Sequence, residues 1–232
     1  GVNCQPWQVA VVTGTSKTRI SEALLAARKA RQPESPDYAY YPKDWQEPYK
    51  SRRKATGLAL YQALNIGKDD AFARLKAWNG NYHFFGAPAG LLFFVDRALS
   101  QGAWVDMGMF IENVMLAARA HGLETCPQAS LAEYPDIVRG ILAIPATRAL
   151  VCGTALRYAD AGAPANSSLA RSTEMGRSNS ALRLREWPVN TGTRTHVPLT
   201  RRPGMARILR DSWRSFCSSS VSSEPSSTYL PA

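Results

Sequence analysis

The chain has 232 residues, 45% of them hydrophobic, and carries 28 Lys and Arg against 18 Asp and Glu for a formal charge of +10. This is ordinary globular composition, with enough material for one large domain or one domain and an appendage. Its longest apolar runs are short, as in Leu91 to Val95, and fall well under the roughly 18 residues that a membrane-spanning helix needs.

No basic stretch followed by an apolar one opens the sequence, so a secretory signal is not expected. The four cysteines, Cys4, Cys126, Cys152 and Cys217, stand far apart without a CxxC pair, and there are only three histidines. That spacing argues against a disulfide scaffold or a zinc site and leads us to expect a reduced, cytoplasmic protein without a metal.

In chain order, Gln8 to Val12 is a short β-rich run that ends in a Thr13-Gly14 turn. Ser16 or Thr18 is placed to cap the following helix, whose Ile20, Leu24, Leu25 and Ala27 repeat with helical period. Gln32 to Tyr49 reads as a long connection, with Pro33, Pro36, Pro42 and Pro48 interleaved with Tyr38, Tyr40, Tyr41 and Trp45. A connection of that length inside a compact domain is a functional loop or a flexible one. Helical patterning returns over Ala55 to Leu64 and Asp69 to Trp78, and the Asp69-Asp70 pair suits a helix start.

Leu91 to Val95 and Leu150 to Leu156 are continuous apolar runs, which predicts strands buried on both faces. Between them, Ala103 to His121 is the strongest helix, closed by Gly122. Met107, Phe110, Ile111, Val114, Met115 and Ala118 form one apolar stripe, while Met109, Leu116 and Ala117 make another face apolar. A helix of that kind is buried on nearly all sides, in a core or against a second subunit. The order of elements predicts an α+β domain with a buried sheet.

The chain offers little acid–base chemistry of its own. His83, His121 and His196 have no Cys or Ser partner at a telling spacing, and Gly80, Gly86 and Gly90 form neither GxGxxG nor a P-loop. Met107 to Met115 reads as a core stripe. An enzyme with this inventory borrows its chemistry from a cofactor.

The charge is unevenly spread. Residues 1–166 hold 18 basic and 14 acidic side chains, whereas residues 167–232 hold 10 Arg, no Lys, 4 acids and 14 Ser. We therefore expect two regions, a domain over 1–166 and an Arg/Ser-rich, disordered tail over 167–232. Arg201, Arg202, Arg207, Arg210 and Arg214 offer phosphate contacts, but the scattered aromatics and missing module argue against a specific nucleic-acid partner.

Several segments together resemble the nitroreductase family, nearest its nitrobenzoate-reductase-like branch. Gly1-Val2-Asn3-Cys4-Gln5-Pro6-Trp7 is similar to the second half of the family's PSGxNxQPW signature. Residues 36–54 resemble that branch's loop, with Tyr38, Tyr40, Tyr41, Trp45 and Arg52-Arg53. Asn81 to Pro88, Asp106 to Phe110, Gly122 to Ala129 and Val151 to Leu156 with Tyr158-Ala159-Asp160 follow in the family's order.

The resemblance implies a nitroreductase-like FMN fold, α+β, with a mostly antiparallel central sheet, flanking helices and a long helix at a homodimer interface. It implies an FMN-dependent NAD(P)H oxidoreductase reducing nitroaromatics by ping-pong hydride transfer, a quinone- or enone-reducing flavoenzyme being the alternative. Asn3, Gln5 and Asn81 would face the flavin, and Pro127, Gln128 and Ala129 match the loop whose backbone N–H approaches its N5. No side chain of this chain is expected to be the hydride carrier. Tyr41 and Trp45 would wall the substrate pocket, and Arg52 and Arg53 would either favour an anionic substrate or stand as solvated residues at a helix start, Arg52 being the substrate-site candidate.

The family's phosphate-gripping R-x-S-x-R element precedes the part of the signature seen here, and Arg171 only approximates its N-x-L-x-T-x-R segment. Impaired FMN retention, an inactive fragment and an out-of-frame tail with non-specific basic character are expectations that follow from these departures.

Overall fold

The structure, a computed structural model, describes residues 3–160 and 162–165. The expected boundary at 166, Arg171, His196, Cys217 and the Arg/Ser-rich tail lie outside the described residues.

Four strands form one sheet: β1 (Trp7–Thr13), β2 (Ala89–Asp96), β3 (Glu124–Gln128) and β4 (Arg148–Arg157), in the order β1-β2-β4-β3. Every pairing is antiparallel. The helices are α1 (Gly14–Lys29), α2 (Tyr49–Ala63), α3 (Ala71–Asn79), α4 (Gln101–Ala120) and α5 (Pro135–Leu142).

The continuous apolar run in β2 is explained by burial on both faces. Leu92 and Phe94 pack with Ile20 and Leu24 of α1, Val138 of α5 and Leu150 of β4. Leu91, Phe93 and Val95 pack with Met107 and Val114 of α4. Full burial of each such Leu or Phe contributes about 1.5–3 kcal/mol of transfer free energy. Gly90 and Gly153 leave room for this packing: a Cβ would lie 2.3 Å from the Phe84 ring at Gly90 and 2.3 Å from Leu131 at Gly153.

One irregularity matters for the site. The register between β2 and β4 shifts between Phe93 and Phe94, which face Cys152 and Leu150, so Val151 is an extra residue. The bulge turns both Val151 and Cys152 toward the α4 side, where alternation alone would have separated them.

Local details correct some sequence expectations. Thr13 is the N-cap residue of α1, and the Ser16 and Thr18 hydroxyls donate back to the carbonyls of Thr13 and Gly14. The Asp70 carboxylate does cap α3, accepting from the Ala73 N–H at 2.8 Å. The stretch around Pro127, expected as a loop, runs as strand β3 up to Gln128, and Pro127 is tolerated because β3 lies at the sheet edge. α5 was not foreseen. Within the chain, α4 buries one stripe only, and Val105, Met109 and Leu116 are 63%, 55% and 56% exposed on its other face.

Candidate active site

The long connection before α2 is tethered at the bulge. β3 runs out opposite Gly153, and beyond it Asp37 and Tyr38 engage β4. The Leu150 N–H donates to Asp37 Oδ2 at 2.7 Å, and the Tyr38 hydroxyl donates to the Val151 carbonyl at 2.7 Å. Backbone groups at a bulge lack regular ladder partners, and these two side chains supply them.

Arg139 of α5 completes the tether, donating to Asp37 Oδ2 at 2.6 Å, Asp136 Oδ1 at 2.6 Å and the Arg148 carbonyl at 3.0 Å. Arg97 also donates to Asp37. Burial works to raise the Asp37 carboxyl, but hydrogen bonds from Arg139, the Leu150 N–H and Arg97 outweigh it and hold the group below its ordinary value. The Cys152 thiol beneath is pushed up to about 12 by burial and is inert at neutral pH.

From this tether a row of aromatic rings runs outward. Tyr38 lies 4.6 Å from Trp104 of α4 and 6.0 Å from Tyr40, centroid to centroid. Tyr40 is 4.7 Å from Tyr41, and Tyr41 is 5.8 Å from Trp45. The two substrate-wall candidates, Tyr41 and Trp45, are therefore neighbours. Of the two cations expected beside them, Arg52 and Arg53, it is the Arg53 guanidinium that covers the pair, 5.1 Å from the Trp45 centroid and 5.9 Å from Tyr41. Arg52 is exposed one position earlier.

The candidate cofactor residues fall into two places. Gln128 is 2% exposed, and its Nε2 donates to the Asn81 carbonyl at 2.7 Å. Asn81 Nδ2 donates to the Trp78 carbonyl at 2.9 Å. The Asn81 segment and the end of β3 are thus joined by a side-chain bond. Around that end, Gln128 Oε1 and Ser130 Oγ are buried without a hydrogen-bond partner among the described residues, as is Thr154 Oγ1 on β4, across from Pro127. Pro127 is exposed and Ala129 half-buried.

Between Asn81 and β2 the backbone is strained, with φ of 53° at Phe84, 49° at Phe85 and 73° at Gly86. Two non-glycine residues in the left-handed region cost on the order of 1 kcal/mol each or more and persist where surrounding structure over-determines them. Here the Phe84 ring fills the space over Gly90, and Tyr82 is fixed by hydrogen bonds to Arg28 and Glu133.

Asn3 and Gln5 occupy the second place, both exposed and both left-handed, with φ of 53° and 46°. Gln5 borders a shallow hollow that Asp96 and Arg148 also line, and these two are ion-paired at 3.0 Å.

Sequence reasoning missed the tether: Asp37, Arg139 and Trp104 were not singled out. Their partners lie 102 and 113 residues away for Asp37, a separation no local pattern reveals.

Comparison with known proteins bears on this arrangement. The 4-nitrobenzoate reductase of Pseudomonas putida is 37% identical over 165 residues, spanning 71% of this chain and 72% of the relative. That of Nocardioides sp. (strain LMS-CY) is 40% identical over 165 residues, spanning 70% and 67%. The crystal structure of the FMN-dependent nitroreductase NfnB from Mycobacterium smegmatis in complex with NADPH superposes with a TM-score of 0.68 at 34% identity, covering 72% of this chain and 74% of that one. Residues 1–156 match the nitroreductase family, and with the antiparallel sheet and its flanking helices this establishes that the chain belongs to that family.

Proposed function

We propose that this chain reduces nitroaromatic compounds at the expense of NAD(P)H, with FMN as its redox cofactor and no metal. The observation that carries this reading is the Gln128–Asn81 bond, which joins the two segments that the family resemblance assigns to the flavin. The unpaired atoms Gln128 Oε1, Ser130 Oγ and Thr154 Oγ1 suit a ring whose edge mixes hydrogen-bond donors and acceptors, so the residues present fit such a group. FMN held there would supply hydride transfer between the nicotinamide and the nitro group, with the two substrates using one pocket in turn.

In this reading the protein's part is to bind, orient and exclude water. The backbone of Pro127, Gln128 and Ala129 would lie against the flavin, in a place fixed by the bond from the Gln128 amide to the Asn81 carbonyl. Asn3 and Gln5 of one subunit would supply amide contacts to it, and Arg171, which lies outside the described residues, is the phosphate candidate by motif alone. Tyr41 and Trp45 form the aromatic wall over which a nitroarene stacks.

The same reading includes a homodimer. Its support is apolar surface: the outer face of α4, together with α2 and α3, neither of which has a buried residue. Obligate interfaces resemble a core cut in half, and such surface fits one.

The test is spectrophotometric. Purified chain supplied with excess FMN should oxidise NADPH only when a nitroarene such as 4-nitrobenzoate is present, with hydroxylamine or amine as product. No nitroarene-dependent oxidation at saturating FMN would overturn the reading.

A further inference from the structure

We infer that Arg53, and not its neighbour Arg52, is the specificity-determining residue that selects aromatic substrates carrying a negative charge. The inference deepens the reduction of nitroaromatics proposed above and rests on it for the aromatic part of the ligand.

Three observations carry it. The Arg53 guanidinium, though exposed, lies over both Trp45 and Tyr41, at 5.1 and 5.9 Å from the ring centroids, within the range of a cation–π contact to each. Trp45 and Tyr41 are in turn linked through Tyr40 and Tyr38 to the Asp37 tether on β4, which gives the cation a defined place. Finally, no carboxylate forms an ion pair with Arg53 among the described residues, although Asp44 and Glu47 are near in sequence. Glu47 is engaged at the start of α2, where its carboxylate accepts from the Ser51 N–H at 3.3 Å.

Within the start of α2 itself, the residues flanking Arg53 add only positive charge. Lys50, Arg52 and Lys54 share the first turn and a half of α2, a helix start with no acidic residue in its first turn. Cations at the positive end of a helix dipole repel one another and the dipole, so an anion placed there is stabilised by both. A guanidinium backed by two aromatic faces presents its fork of N–H donors toward a carboxylate, while the rings beside it accept an aryl group. An aryl carboxylate, nitro group at the far end, matches both parts. Arg52 has the charge but no aromatic ring beneath it among the described residues.

The experiment compares 4-nitrobenzoate with the neutral 4-nitrobenzamide, using the flavin-loaded full chain. Arg53→Gln is expected to raise KM for 4-nitrobenzoate about tenfold, which corresponds to about 1.4 kcal/mol, with kcat retained. KM for 4-nitrobenzamide should stay within about twofold, and Arg52→Gln should leave both substrates nearly unchanged. Arg53→Lys, which keeps charge without the planar fork, should fall between wild type and Arg53→Gln.

An equal loss for both substrates in Arg53→Gln, or the selective loss appearing in Arg52→Gln, would overturn the inference. Calorimetric binding of 4-nitrobenzoate without nicotinamide separates the two readings. Charge-selective binding that needs Arg53, without turnover, would sink the reduction reading and leave the selectivity standing; turnover without charge selectivity would do the reverse.

Discussion

The sheet and the α2–α3 segment use similar apolar residues in opposite ways. Leu92, Phe93 and Phe94 of β2 have no exposed surface, with α1 and α5 covering one side and α4 the other. α2 and α3 bury no residue fully, and Phe72, Leu75 and Trp78 along α3 are 79%, 53% and 44% exposed. The first region is self-sufficient within one chain. In the second, residues of a core are left on the surface, and with them sits the Tyr41–Trp45–Arg53 wall. The buried sheet and the exposed aromatic wall are thus built from different stretches of sequence, joined by Asp37 and Tyr38.

The largest expected effect tests the first half of that contrast. Phe94→Ala removes a fully buried ring and should cost about 3–5 kcal/mol in urea unfolding. A loss under about 1 kcal/mol would mean that the sheet is not the part that holds the fold.

Asp37→Asn tests the joint. It leaves Arg139, 7% exposed at its side chain, with Asp136 as its one remaining carboxylate partner, and should cost about 3 kcal/mol. Because the folded chain holds Asp37 below its ordinary value, its contribution is complete above the usual Asp pKa of about 3.9 and fades as pH falls through the lower folded value. The acid limb of the stability curve should therefore be shallower in Asp37→Asn than in wild type. Identical acid limbs would show that the tether carries no net charge energy.

Leu116→Asp has the smallest expected effect on the single chain, because its side chain lies on the open face of α4. Circular dichroism should be unchanged, while sedimentation moves from two chains to one. A variant that still sediments as two chains would remove this face from the proposed interface.

What the sequence revealed follows from range. Periodicity over Ile20 to Ala27 and Met107 to Ala118, and the unbroken run Leu91 to Val95, are local patterns, and each became the expected element. β3 escaped because Glu124-Thr125-Cys126-Pro127-Gln128 is polar and contains proline, which an edge strand permits. α5 is eight residues long and opens on Pro135, too short for a period to declare itself. At the candidate site, Gln128 and Asn81 are both legible in the sequence, and the structure joins them; Arg52 and Arg53 are legible only as a pair, of which Arg53 stacks. Nothing local distinguishes adjacent arginines, since the choice depends on which one turns toward Trp45.

The bulge at Val151 has a consequence for how this protein tolerates change. Its loose backbone groups are taken by two adjacent residues within the connection, so the residues from there up to α2 need not satisfy the sheet. Segments from Tyr40 to Arg53 can be lengthened, shortened or exchanged as a cassette, provided Asp37 and Tyr38 keep their places. The aromatic wall is in that sense a replaceable part, mounted on a fixed bracket.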